Sequence, residues 1–270
     1  MTTDEMIIDF HAHAFTDSLA PRAIGELLEK CGRRYTPVSD GTLSGLLRNM
    51  DEWGIDVSVL QPVITKPSQV RAINEWVRGC CSERIAGFGG IYPHSSGYRD
   101  DIDFVADLGL KGLKFHPEYQ DFILDDRPML DIYAYALEKG LMLLFHAGYD
   151  PGFPPPFKSD PLRFASVVKA MGGGTIIAAH LGGHGQWDGV ERHLAGTGIY
   201  LDTSMGFGYY PPDQFLRIVQ KHGADKILFG SDAPWSDAGA EMARLKALPL
   251  PRSAKEAILG GNGRRLLGLL

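Results

Sequence analysis

The stretch MIIDFHAH (6–13) begins with apolar, strand-favouring residues and ends with two histidines separated by one residue. Similar runs recur along the chain, and most are almost continuously apolar, which is typical of parallel strands buried on both faces. Helical patterns separate these runs. We therefore predict eight strands, at residues 6–13, 57–63, 85–92, 112–117, 141–147, 174–181, 199–204 and 226–232.

Eight repeats of strand and helix favour an α/β fold in which the strands close into a (β/α)₈ TIM barrel. No break in composition interrupts the repeats, so we expect one domain over residues 1–270. Ser159-Asp160-Pro161 predicts a helix start, whereas Lys139-Gly140 and His222-Gly223 predict helix ends. A doubly wound open sheet is the alternative.

Two segments are longer than such a barrel requires. Residues 14–56 hold two helical patterns, at 20–31 and 42–53, and predict a helical insertion after the first strand. Residues 148–160 (GYDPGFPPPFKSD) include three consecutive prolines, which predict a stiff and extended loop.

The composition limits the classes of partner that we expect this protein to bind. The net charge of −6 disfavours nucleic acid, because phosphate binding needs a basic surface. We find no run of 18 apolar residues and no signal-peptide pattern, so we expect no membrane partner. The three cysteines, Cys31, Cys80 and Cys81, do not suggest a disulfide framework. These features favour a cytoplasmic protein that acts on a small-molecule substrate.

Histidines are concentrated where predicted strands end. Five of them, His11, His13, His116, His146 and His180, lie in predicted strands, at or near their carboxyl ends. In a (β/α)₈ barrel these ends share one face, where the active site lies. His11 and His13 are two residues apart and point to the same face, so they could chelate one cation. A hydrogen-bonded pair of core histidines is the alternative.

Asp232 ends the eighth predicted strand (ILFGSD). Burial of a carboxylate is costly unless it is paired or binds a metal, so we interpret Asp232 as a metal ligand and base. The alternative is the N-cap of the next helix. Singly, His146 and His180 would more often be satisfied core residues, but their position beside the other histidines indicates a shared site.

The fourth predicted strand carries two further polar residues in phase, Lys114 and His116. Lys114 could bind a substrate carboxylate, could be carboxylated and bridge two metals, or could pair with an acidic neighbour, and these readings stay open. We predict that His116 either lies in the pocket or donates a hydrogen bond to a residue that lines it. Phe153 and Trp235 fall on predicted strand-to-helix loops, where they could line an apolar pocket, although ordinary loop packing explains them equally well.

Several motifs together resemble the amidohydrolase superfamily, and in particular its amidohydrolase-related branch, which includes aminocarboxymuconate-semialdehyde decarboxylase. The motifs are IDFHAH (8–13), GLKFHP (112–117), LFHAG (144–148), AAHLGG (178–183), YLDTS (200–204), ILFGSDAPW (227–235) and GGNGRRLLG (260–268). Each motif is weak alone, and their combined order carries the resemblance.

The resemblance implies that His11, His13, His146 and Asp232 hold one divalent metal. Zinc suits three imidazoles and a carboxylate, with manganese or iron as alternatives, and a carboxylated Lys114 would add a second ion. His180 is similar to the residue that polarises the substrate or moves protons. Proteins of this family often form homodimers, which remains open for this chain.

The implied chemistry is hydrolysis of an amide, lactone or ester-like bond in a small carboxylate-bearing or aromatic substrate, with Asp232 and His180 as catalytic residues. Lys114, His116, Phe153 and Trp235 are the expected substrate-binding residues. Non-oxidative decarboxylation is the rival reaction. A barrel that binds ligand without catalysis is disfavoured because the metal ligands and the base occur together, and the acidic charge disfavours a metal-dependent nuclease.

Overall fold

The computed structural model describes residues 6–269. Eight short strands follow one another along this part of the chain, and each lies within one of the predicted spans. The strands are β1 Ile8–Ala12, β2 Val57–Leu60, β3 Ile85–Gly87, β4 Gly112–Phe115, β5 Met142–Phe145, β6 Ile176–Ala178, β7 Tyr200–Asp202 and β8 Ile227–Leu228.

Helices connect and follow these strands. The α-helices are α1 Ala20–Lys30, α2 Leu43–Trp53, α3 Val70–Cys80, α4 Tyr98–Asp107, α5 Pro117–Gln120, α6 Arg127–Glu138, α7 Pro161–Met171, α8 Trp187–His193, α9 Pro212–His222, α10 Ala238–Ala247, α11 Arg252–Glu256 and α12 Asn262–Leu267. Helices α1 and α2 form the predicted insertion after the first strand. A π-helical turn, Ala257–Gly261, joins α11 to α12.

The strands close into a barrel. Strands β1, β2 and β3 pair in parallel, in that order, in one sheet, and strands β4 to β8 pair in chain order in a second. Two gaps separate the sheets. Across the gap between β3 and β4 the amide of Lys114 donates to the carbonyl of Gly89 at 2.9 Å, and across the gap between β8 and β1 the amide of Phe10 donates to the carbonyl of Phe229 at 2.8 Å. Both gaps are bridged, so the fold is a (β/α)₈ barrel and the open-sheet alternative is wrong.

The strands are shorter than predicted at their carboxyl ends. His13, His116 and His146 each follow directly after a strand instead of lying within it, and one residue separates His180 from the end of β6. The apolar runs continue beyond the ladder hydrogen bonds, which explains the overestimate. The predicted side chains therefore stand on the strand exits, where the backbone can turn them toward one another.

Local signals set several helix boundaries. The carboxylate of Asp160 accepts from the amides of Leu162 and Arg163, which caps the start of α7 as predicted. Gly140 and Gly223 follow the ends of α6 and α9 with positive φ values of 77° and 96°. These glycines adopt a conformation that would strain other residues, so both predicted helix ends are confirmed.

Both faces of the strands are buried. Leu143 and Phe145 belong to a large cluster that includes Phe164 of α7. Their neighbours Met142 and Leu144 belong to a second cluster, formed mostly by residues from other strands. This alternation explains why the strands read as continuous apolar runs. None of the described helices has the length and apolarity needed to cross a membrane.

Candidate metal centre

Three predicted metal ligands meet at the carboxyl ends of β1 and β8. Nε2 of His11 lies 3.2 Å from Nε2 of His13. Oδ1 of Asp232 lies 3.2 Å from Nε2 of His11 and 3.1 Å from Nε2 of His13. The three atoms are within the mutual range expected for donors to one cation.

Hydrogen bonds on the far side of each ring define which nitrogen carries the proton. Nδ1 of His11 lies 2.8 Å from Oδ2 of Asp202, and Nδ1 of His13 lies 2.6 Å from the carbonyl oxygen of Gln61. Both partners are acceptors, so each Nδ1 donates and each Nε2 keeps its lone pair. Two lone pairs and a carboxylate oxygen then face one another, and these acceptors repel one another unless a proton donor or a cation lies among them.

A second chain of hydrogen bonds leads to His146. Nδ1 of His180 lies 3.1 Å from the carbonyl oxygen of Ser204, so this nitrogen donates. Nε2 of His180 is then an acceptor, and it lies 3.0 Å from Nδ1 of His146. His146 consequently donates through Nδ1 and keeps its lone pair on Nε2. No described protein atom pairs with this buried Nε2.

His146 belongs to a different group of close donor atoms from the His11 centre. That group contains His116, His146 and Asp150. The rings of His116 and His146 are stacked, with centroids 4.1 Å apart and an interplanar angle of 9°. Ring nitrogens bind a metal in the plane of the ring, so two parallel stacked imidazoles are poorly oriented to share one ion. His116 instead lies with Nε2 3.3 Å from Oδ2 of Asp150.

Lys114 lies directly beside the His11 centre. Its Nζ donates to Nε2 of His11 at 2.9 Å, and its side chain is buried. Burial lowers the pKa of Lys114 to about 8, against the opposing effect of Asp232 and Asp202. The fourth strand therefore places this amine at the height of the predicted ligands, which the sequence left open.

Burial and charge act together on the ligands. Burial lowers the pKa of His11 to about 4, with a further contribution from Lys114. Burial alone would raise the pKa of Asp232, but the adjacent His11 and His13 outweigh it and hold the pKa well below its usual range. Neutral imidazoles and an ionised carboxylate are the forms in which these residues bind a metal.

Two of the central residues adopt unusual backbone conformations. His180 has φ 55° and Asp232 has φ 71°, in the left-handed region that few residues other than glycine occupy. Such strain costs on the order of 1–3 kcal/mol and persists where the surrounding structure enforces it, often at functional sites. His180 lies two positions beyond the end of β6 and Asp232 four positions beyond the end of β8, in turns beside the centre.

The predicted pocket residues His116, Phe153 and Trp235 have different neighbours. His116 stacks on His146, as described, and Phe153 packs edge-on against Tyr119 with centroids 4.9 Å apart. Trp235 is half-buried in the loop after Asp232, whose carbonyl accepts the Trp235 amide at 2.8 Å.

Four supporting residues have no role predicted from the sequence: Gln61, Asp150, Asp202 and Ser204. Asp202 ends β7 and Ser204 ends the YLDTS motif just beyond it, and that position at a strand exit was the available signal. Nothing in the local sequence distinguishes Gln61 or Asp150, whose partners lie on other strands.

These observations fit a divalent cation. The donors that meet are two imidazole lone pairs, of His11 and His13, and a carboxylate oxygen of Asp232, and both rings are held by acceptors. His146, in the second group, has a buried nitrogen with no other described partner. Nitrogen and oxygen donors of this kind suit zinc, manganese or iron.

Solved structures share the fold over almost the whole chain. 5-Carboxyvanillate decarboxylase LigW from Sphingomonas paucimobilis has a TM-score of 0.71 at 15% identity, covering 99% of this chain and 100% of that one. A manganese-bound dihydroxybenzoic acid decarboxylase from Polaromonas sp. JS666 has a TM-score of 0.69 at 18% identity, covering 98% and 97%. A protein from Pseudomonas putida, provisionally assigned as a 2-pyrone-4,6-dicarboxylic acid hydrolase, has a TM-score of 0.68 at 20% identity, covering 98% of each chain.

At these identities the likeness to solved structures shows the fold alone. No curated protein matches the sequence. The model of the family described as amidohydrolase matches residues 8–269. This match spans nearly the whole barrel, and the chain therefore belongs to the amidohydrolase family.

Proposed function

We propose that this protein is a metal-dependent hydrolase that cleaves a lactone, amide or ester-like bond in a small carboxylate-bearing or aromatic substrate. Membership of the amidohydrolase family supports an enzyme with a divalent metal. The observation that carries the proposal is the convergence of Nε2 of His11, Nε2 of His13 and Oδ1 of Asp232 within 3.2 Å of one another.

We assign His11, His13, His146 and Asp232 as the metal ligands. His146 is included because its buried Nε2 needs a partner and because its ring is fixed by His180. Zinc is the proposed ion, with manganese or iron as alternatives, and one ion is proposed because His11, His13 and Asp232 form a single compact group of donor atoms. When bound, such an ion lowers the pKa of a coordinated water from 15.7 to about 7 and polarises a substrate carbonyl.

The protein's own residues handle the protons. The carboxylate of Asp232 borders the centre and can accept a proton from the attacking water and pass it to the leaving group. The ring of His180 is held by Ser204 through Nδ1 and by His146 through Nε2. We assign its Nε2 to take up a proton during the reaction, after which this nitrogen can donate to a developing oxyanion. Positive φ values at both residues support the assignment, because strain of this kind recurs at functional sites.

Lys114, His116, Phe153 and Trp235 are proposed to contact the substrate or the residues that hold it. Lys114 is the buried cation beside the centre and is suited to a substrate carboxylate. The ring of His116 stacks on the proposed ligand His146, and the ring of Phe153 packs against Tyr119.

Product analysis in isotopically labelled water tests the reaction type. We expect the zinc-loaded protein, incubated with 2-pyrone-4,6-dicarboxylate in H₂¹⁸O, to give a ring-opened acid that carries ¹⁸O. Asp232→Asn, compared per bound zinc, serves as the control and should form labelled product about 10²–10⁴-fold more slowly. Absence of labelled product from this lactone and from a panel of amides and esters would reject hydrolysis.

Decarboxylation is the second candidate. Two of the similar structures described above are decarboxylases of aromatic acids, and the same ligands and proton-transfer residues would serve that reaction. Release of carbon dioxide from 2,6-dihydroxybenzoate, without incorporation of ¹⁸O into the aromatic product, would favour this candidate over hydrolysis.

A further inference from the structure

His184 is a buried histidine that neither the metal centre nor the proposed proton transfers use. It lies between β6 and α8, in the loop that follows His180. Its amide donates to the carbonyl of Ala147 at 2.8 Å, and its carbonyl accepts from Tyr149 at 2.9 Å. Gly148 packs so closely against this backbone that a Cβ would lie 2.4 Å from the His184 nitrogen. The position of His184 beside the β5 exit is therefore fixed.

The side chain of His184 has no hydrogen bond to protein anywhere in residues 6–269. Its Nδ1 is inaccessible to solvent and has no hydrogen-bond partner among the described residues, and the residue as a whole is 7% exposed. A buried polar atom without a partner opposes folding, and such atoms are few in native proteins. Since Nδ1 is the sealed nitrogen, Nε2 is the atom that a ligand can reach.

His222 provides a comparison within the same chain. It is also 7% exposed, yet both of its nitrogens are engaged. Its Nδ1 accepts from the amide of Gly196 at 3.1 Å, and its Nε2 donates to the carbonyl of Ile199 at 2.9 Å. Burial alone therefore does not leave a histidine of this barrel without partners.

Aromatic rings surround His184 on the side of the strand exits. Its ring centroid lies 5.0 Å from Tyr209, 5.5 Å from Trp187 and 5.8 Å from His180 in edge-on contacts. Tyr149 lies nearly parallel to it, at 6.0 Å and 19°. Walls of this kind suit a flat unsaturated ring, and the contact with His180 connects them to the metal centre.

Arg34 places a positive charge beside the aromatic residues around His184. The guanidinium of Arg34, from the insertion after β1, donates to the hydroxyl of Tyr149. Among the ion pairs of the described residues, none pairs Arg34 with a carboxylate. Burial lowers the pKa of His184 itself to about 4, so its ring is neutral near pH 7 and carries one N–H.

We propose that His184 is a substrate-binding residue whose Nε2–H donates to a carboxylate oxygen of a flat aromatic or unsaturated acid, with Arg34 and Tyr149 on the same side. This inference rests on the proposed function, because it places that acid between His184 and the metal centre. It identifies a specificity residue outside the metal ligands and the proton-transfer pair.

Thermal unfolding separates a ligand-binding histidine from a structural one. We expect His184→Phe to keep or raise the Tm of the protein, because it removes an unpaired nitrogen while filling the same space. The matched variant His222→Phe removes two hydrogen bonds at equal burial and should lower the Tm. A loss of Tm in His184→Phe as large as that in His222→Phe would overturn the proposal.

Calorimetric titration of the zinc-loaded protein with 2,6-dihydroxybenzoate tests the contact itself. His184→Phe should weaken binding by at least about tenfold, as expected for one hydrogen bond to a charged group. His184→Gln should restore most of the affinity, because its amide nitrogen can reach the place of Nε2. Equal affinity in wild type and His184→Phe, or no binding by wild type, would overturn the proposal.

The two proposals fail separately. Titration reports binding whether or not the probe is turned over, so loss of the proposed hydrolysis leaves the His184 result unaffected. Conversely, labelled product from His184→Phe at the wild-type rate and KM would uphold hydrolysis and refute the role of His184.

Discussion

Nδ1 of His11 donates to Oδ2 of Asp202 at 2.8 Å, although 191 positions separate the two residues in sequence. Burial would raise the pKa of Asp202, but His11 and other donors outweigh it and lower the pKa to about 2, so this acceptor is ionised at neutral pH. The bond keeps the lone pair of His11 on Nε2, where the metal is proposed to bind.

Asp202→Asn should weaken metal binding. The amide can donate to His11 and stabilise the opposite tautomer, which would put a proton on Nε2. Loss of such a supporting partner typically costs about 10–100-fold in metal affinity. Zinc affinity measured by competition with a chelator checks this, and Asp103→Asn, which alters a carboxylate paired with Lys139 and Tyr135, is the control. Unchanged zinc affinity in Asp202→Asn would contradict the tautomer argument.

His11→Ala or His146→Ala should lose metal and activity together. Each change removes a direct ligand, so we expect a loss of affinity at the upper end of the about 10–100-fold cost of a supporting residue, or beyond it. Elemental analysis after dialysis measures the content. His193→Ala, in α8, alters a histidine outside both donor groups and should bind metal as the wild type does. Full metal content and rate in His11→Ala would show that the centre is wrongly assigned.

Asp232→Asn should separate binding from chemistry. The amide oxygen can still contact a cation, but it accepts a proton poorly, so the rate should fall by about 10²–10⁴-fold while part of the metal remains. Rate and metal content are to be measured on the same preparation. If the rate per bound metal matched the wild type, Asp232 would be a ligand without a role as a base.

Gly148→Ala should destabilise the protein and disturb the pocket wall. Gly148 has φ 85°, and an added Cβ would meet the backbone of His184 and Gly183 at 2.4–2.6 Å. Strained backbone of this kind costs about 1–3 kcal/mol, so the free energy of unfolding should fall by at least that amount. Gly173→Ala adds its Cβ to open space and should change stability by less than about 1 kcal/mol. Chemical denaturation measures both variants, and equal stability would refute the packing argument.

Stability should fall in acid partly because of His222. Burial lowers the pKa of His222 below its ordinary value of 6.5, against the opposing effect of its bond to Ile199. The unfolded chain therefore binds the proton more readily, and the stabilising contribution is complete above pH 6.5 and is lost as the pH falls below it. His222→Gln should be less stable near pH 8 but show a shallower decline between pH 7 and 5. Parallel declines, measured by urea unfolding across this range, would exclude His222 as a contributor.

The eight strands and the helical insertion could be predicted because their signals are local. Periodic apolar runs locate strands, and residues such as Asp160 and Gly140 mark helix boundaries. Strand ends were less accurate. His116, His146 and His180 continue apolar runs, yet β4, β5 and β6 end before them.

The candidate site was likewise predicted only in part. Parallel strands in a barrel bring their carboxyl ends to one face, so the sequence alone placed His11, His13 and Asp232 together. It did not indicate that the ring of His146 stacks on His116 and pairs with His180, or that Lys114 contacts His11. Those contacts depend on rotamers and on the heights of neighbouring strands.

The sequence by itself determined a (β/α)₈ barrel and the residue types gathered at its mouth, because strand periodicity and strand order are properties of the chain. Only the tertiary structure decided which nitrogen of each histidine holds a lone pair, and which buried histidine has no partner. Those properties depend on acceptors in Asp202, Gln61 and Ser204, which approach the rings from other strands, and the position of a residue along its own strand does not show which ring it contacts.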